Sequence, residues 1–76
     1  MRIDNELFYK IRKVHRLTTT ELAELLGYSQ TYISSIDRGV EPVTDNVDKR
    51  LKIALDLDTL KLREIESIYE KFNVKG

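Results

Sequence analysis

The stretch "TTTELAELLGYSQTYISSIDRG", residues 18–39, constrains this chain more than any other. Thr18 with Glu21 three residues later forms a capping box that starts a helix, and Leu22, Ala23, Leu25 and Leu26 give that helix an apolar face. Gly27 closes it, because glycine adopts the left-handed conformation without steric penalty. Ser29 caps a second helix that runs to about Arg38, and Gly39 ends it. Ala23 is small enough for the second helix to cross close over the first. Ile33 and Ile36 turn one side of that second helix into a core. This is the spacing of a helix-turn-helix over residues 18–38.

The rest of the chain has room for little else. A chain of 76 residues is a single small domain, 1–76, able to bury only about 60% of its unfolded surface. It has no cysteine, so neither disulfides nor a thiolate metal site can supplement the core. No apolar run approaches the roughly 20 residues that cross a bilayer. The start, "MRIDNELFYK", carries two acids and no small-residue cleavage site, so a signal peptide is not expected. A cytoplasmic protein without membrane association is the expectation.

Helical spacing dominates throughout. Asp4 caps a first helix, with Ile3 and Phe8 as a hydrophobic staple and Leu7, Phe8, Ile11 and Val14 as its buried stripe. His15 and Arg16 end it, their charge favourable at a helix C-terminus. After Pro42, Thr44 caps a fourth helix with Val47, Leu51, Ala54 and Leu55 on one side. Asp58 caps a fifth, over about 58–73, whose stripe is Leu60, Ile65, Ile68, Tyr69 and Phe72. Leu62 and Val74 fall off that stripe. The fifth helix therefore either seals the core or offers a second apolar strip to another subunit, as in a homodimer.

With Ile33 and Ile36 inward, Gln30, Thr31, Ser34 and Ser35 lie outward. A solvated face would normally carry lysine and glutamate, whereas this one carries short, uncharged hydrogen-bonding groups. Such groups approach base edges without being held off by long charged side chains. Glutamine pairs bidentately with adenine N6 and N7, and the threonine methyl touches a thymine methyl.

Residues Ile11 to Leu60 resemble the Cro/repressor-like (XRE-type) helix-turn-helix domains of lambdoid phage repressors and many bacterial regulators. "SQTYISSIDRG" is close to that family's serine-x-x-x-isoleucine-serine-x-isoleucine-acid-x-glycine pattern, and "TELAELLG" matches its preceding helix. The resemblance implies a compact all-α, five-helix domain of the lambda-repressor-like type. It also implies that Gln30, Thr31, Ser34 and Ser35 read the major groove. By the same resemblance Thr19 is a phosphate-binding residue, and Arg12 and Asp37 form an ion pair between the first and third helices. Tyr32 and Arg38 flank the reading face as further phosphate contacts. The sequence departs from the family at two places. "GVEP" is short and brings Glu41 where basic residues are usual, and Arg16 replaces a glycine at the end of the first helix. The backbone grip is then either looser or moved to Lys10, Lys13 and Arg16 of the basic run "KIRKVHR".

Charge distribution is the opposing observation. Thirteen bases and thirteen acids cancel, and residues 1–40 hold six bases against five acids. Nucleic-acid binders usually show a basic footprint. The expectation is nevertheless a small DNA-binding repressor acting on double-stranded DNA, with a regulatory protein partner as a further possibility. The alternative is a protein-interaction module on the same fold, such as an antirepressor, an antitoxin subunit or an inhibitor of a host protein. His15, the sole histidine, has no neighbour at catalytic or metal-ligand spacing. No enzyme activity, metal, cofactor or small-molecule ligand is expected.

Overall fold

Capping residues set where each helix begins. In the computed structural model, which describes residues 1–72 with side chains to Lys71, the helices are α1 (Asn5–Val14), α2 (Thr19–Leu26), α3 (Gln30–Asp37), α4 (Asp45–Ala54) and α5 (Thr59–Phe72). The Asp4 carboxylate accepts from the Leu7 N–H at 2.8 Å, and Ser29 Oγ from the Tyr32 N–H at 3.1 Å. The Thr18–Glu21 capping box is closed in both directions, at 3.0 and 2.9 Å. Thr44 and Asp58 serve α4 and α5 in the same way. Each of these bonds satisfies an N–H that the helix itself leaves without a partner. No strand occurs among the described residues. The class is all-α.

The core gathers one face from each helix. Ile3, Phe8, Ile11, Leu22, Ile33, Ile36, Val47 and Leu51 are fully enclosed, and both staple residues are among them. Helix α3 packs between α1 and α2, α4 covers α2, and α5 lies on α1. Ala23, buried at 2% exposure, lets α3 cross close to α2. Gly27 holds φ at +79°, and an added Cβ would meet only the Arg50 guanidinium at an ordinary 3.6 Å. Backbone conformation, not space, is what demands glycine there.

The fifth helix departs from expectation. Leu62 is buried at 1% exposure and Leu60 is 72% exposed, the reverse of the stripe read from the sequence. Leu60 and Ile65 are five residues apart, roughly 140° around a helix, so they cannot share a face. The true stripe is Leu62, Ile65 and Tyr69, at three- and four-residue spacing, with Ile68 41% exposed beside it. Leu62 therefore seals the core and offers nothing to another subunit. The side chain of Phe72 and all of Val74 lie outside the described residues. Leu25 (47% exposed) and Ala54 were also expected inside and face out.

Arg16 occupies a left-handed backbone position, with φ at 57°. The α1 end closes through the Leu17 N–H to the Arg12 carbonyl at 3.1 Å, a turn that favours glycine. Arg16→Gly should relieve the side-chain crowding and stabilise the fold by about 0.5–1 kcal/mol after the entropy of a freer unfolded glycine is subtracted. A lowered urea midpoint in that variant would contradict this account.

The N-terminal segment is strapped to α4. The Asp48 carboxylate, 6% exposed, accepts from the Ile3 N–H at 2.8 Å and pairs with Lys52 at 2.8 Å. Lys52 also donates to the Met1 carbonyl, and Arg2 bonds both Asp45 and the Val43 carbonyl. Burial pushes the Asp48 carboxyl up, but the bonds from Lys52 and Ile3 and the charges of Lys52 and Arg2 outweigh it, so the group sits below its ordinary range. A carboxyl with a lowered folded pKa contributes stability above its unfolded pKa of about 4, and that contribution disappears as pH falls through the folded value. Asp48→Asn should therefore destabilise the chain at pH 7, and the gap to wild type should narrow towards pH 3. Urea melts at the two pH values decide it; a constant gap would mean the charge is not what matters.

Candidate nucleic-acid interface

Helix α3 presents a row with no charge on it. Ile33 and Ile36 are at 0% exposure, which fixes the helix about its axis. Gln30 and Thr31 are then exposed, and Ser34 and Ser35 half-buried, all on the outward side. Only Asp37 among residues 30–37 is ionised, and its charge is matched from within the fold. Arg12 Nε and Nη2 donate to the two Asp37 oxygens at 2.9 and 2.8 Å. The two side chains are 13% and 11% exposed, and Arg12 Nη1 also donates to the Leu17 carbonyl at 2.8 Å. The hydrogen bonds and charge of Asp37 raise the Arg12 pKa despite the opposing effect of burial. A bidentate pair of this kind fixes angle as well as distance, so it locks α3 to α1.

The first residue of α3 is tied to the first residue of α2. Gln30 Nε2 donates to Thr19 Oγ1 at 2.9 Å. That bond restrains a flexible side chain and leaves its carbonyl oxygen and second N–H free to face outward. Thr19 lies in the first turn of α2, where free N–H groups favour anions. The two are thus brought together as one unit.

The remaining phosphate candidates divide. Arg38 is exposed immediately beyond α3, and Arg16 is exposed in the turn before α2. Lys10 lies 5.6 Å from the Tyr69 ring centroid, and Lys13 5.9 Å from that of Tyr9, so both ammonium groups already engage aromatic faces. Tyr32 is half-buried, and its ring packs against Tyr28 with centroids 5.2 Å apart. Tyr28 itself packs against the core in the turn.

Two supporting residues, Asn5 and Arg50, give no signal in the sequence. Asn5 donates to the carbonyls of Ile36 (3.0 Å) and Glu41 (2.7 Å), pinning the loop that follows α3. The main-chain carbonyl of Ser35 accepts from the Val40 and Glu41 N–H groups at 2.8 and 3.2 Å, which folds the same loop back onto the helix. Arg50 lies 4.8 Å over the Tyr28 ring and donates to the Leu26 carbonyl at 3.0 Å, bracing the turn between α2 and α3. Asn5 and Arg50 lie far in sequence from the groups they hold, and no local pattern predicts those pairs.

No helix among the described residues is long and apolar enough to cross a membrane. Comparison with protein-family models returns no match, and no solved structure matches the chain. Among characterised proteins, the chain is similar to the ImmF control region 10 kDa protein of Bacillus phage phi105. The two are 41% identical over 61 residues, which span 78% of this chain and 68% of the phage protein. Identity at that level over most of both chains is not a local motif match, and the chain belongs to the family of this phage control-region protein.

Proposed function

We propose that the chain is a small sequence-specific DNA-binding regulator of the Cro/repressor-like type, a repressor that acts by occupying the major groove of an operator. The observation that carries this reading is the uncharged outward row of α3, held at a fixed angle by the part-buried Arg12–Asp37 pair. A rigid helix with short polar groups outward suits base-edge recognition, where position must be accurate to a fraction of a hydrogen-bond length. The kinship with a phage control-region protein supports a regulatory role. Gln30, Thr31, Ser34 and Ser35 would read bases, with Thr19, Arg16 and Arg38 on phosphates. Zero net charge weighs against this reading, and the exposed Arg16 and Arg38 supply the local positive charge that it needs. The reading contains no catalytic step and no small-molecule ligand.

One observation favours a second reading. Glu41 is exposed in the loop that folds back on Ser35, where a carboxylate would repel phosphate. A protein partner on the same face would tolerate it.

Selection of bound DNA from a random duplex pool, at low and near-physiological salt, separates the two. An enriched palindrome, bound more weakly as salt rises, is the expected result, since phosphate contacts release counterions. If no DNA is retained even at low salt, the repressor reading fails and the α3 face belongs to a protein partner.

A further inference from the structure

Two large apolar side chains remain uncovered on the side formed by α2 and α4. Leu25 is 47% exposed and Ile53 80%. With Leu26, Arg50 and Ala54 they line one groove between the two helices. A single exposed leucine needs no account, but two such residues sharing a groove on adjacent helices form a patch.

The charges around the patch are sorted by helix. Glu21 lies one turn from Leu25 on α2, with Glu24 beside it, and both are exposed. Lys49 lies one turn from Ile53 on α4, with Arg50 beside it, and both are exposed. Neither Glu24 nor Lys49 has an ion-pair partner among the described residues. The result is a neutral but polarised surface, with acid along one helix and base along the other. Nucleic acid would meet the glutamates, and a basic protein would meet Lys49 and Arg50. A second copy, turned about a two-fold axis running between the helices, sets α2 against α4 and satisfies both edges at once.

We propose that the α2–α4 face is a homodimer interface, with Leu25 and Ile53 at its centre and Glu24 of one copy against Lys49 of the other. This moves the subunit contact away from α5, whose Leu62 is committed to the core. The inference does not rest on DNA recognition, and its test contains no DNA.

Sedimentation of the full chain from micromolar to millimolar concentration should show a monomer–dimer equilibrium. Ile53→Asp should raise the dimer Kd by at least about tenfold, since it removes a large apolar contact from the centre. Its melting temperature at dilute, monomeric concentration should stay near wild type, because the side chain is exposed. Glu24→Lys and Lys49→Glu should each weaken self-association, Glu21 being left intact in its capping box. Mixed in equal amounts, the two charge variants should associate again, because every acidic position then faces a basic one. A wild type that stays monomeric to millimolar concentration overturns the proposal. So does an Ile53→Asp dimer as tight as wild type, or a mixture no tighter than the single variants.

Discussion

Asp37→Ala should remove about 3–5 kcal/mol of folding stability, and Arg12→Ala a similar amount, because each leaves the other charge enclosed without its partner. At roughly 0.05–0.15 kcal/mol per residue, a chain of 76 residues has only about 4–11 kcal/mol in total, so either change brings it near the unfolding threshold. Arg12 in the Asp37 variant would keep a single bond, to the Leu17 carbonyl. Burial decides this magnitude: the two side chains are 13% and 11% exposed, whereas an exposed pair would be worth about 1 kcal/mol or less. The double variant Arg12→Met/Asp37→Leu should lose less than either single one, since no charge is stranded. Urea melts of the three variants give the comparison. Losses below about 1 kcal/mol in both single variants would mean that water reaches the pair and that α3 is oriented by Ile33 and Ile36 alone.

How far the fold was legible depended on the distance over which each interaction acts. The caps at Asp4, Thr18, Ser29, Thr44 and Asp58 were legible because acceptor and donor are three residues apart, so the pattern is local. The inward turn of Ile33 and Ile36 was legible for the same reason. Helix α5 was misread because apolar residues occur on more than one side of it, and only its packing on α1 selects Leu62 and Ile65 over Leu60. Leu25 and Ile53 show the same limit, since nothing local says which edge of a helix its neighbours leave bare. The Arg12–Asp37 pair, 25 residues apart, was accessible only through resemblance to a family. Asn5, whose bonds reach 31 and 36 residues ahead, had no sequence signature at all.

The bond between Gln30 and Thr19 makes the reading row testable one base pair at a time. On the repressor reading, Gln30→Ala should weaken operator binding by about 1–3 kcal/mol and relax preference at a single position per half-site. Thr19→Val keeps the shape of the side chain but removes the hydroxyl that accepts from Gln30 Nε2 at 2.9 Å. Two losses are then superposed. Loss of a phosphate contact weakens every sequence alike, whereas a freed Gln30 amide weakens discrimination only where Gln30 reads. Selection from a random pool with each variant and with the pair separates them. If Thr19 positions Gln30, the double variant should show a coupling of roughly 0.5 kcal/mol or more at that base pair, and additivity everywhere else. Additivity at every position would leave Thr19 as a phosphate contact alone. An unchanged preference in Gln30→Ala would remove Gln30 from the row, leaving Thr31, Ser34 and Ser35 to carry recognition with side chains too short to reach far into the groove.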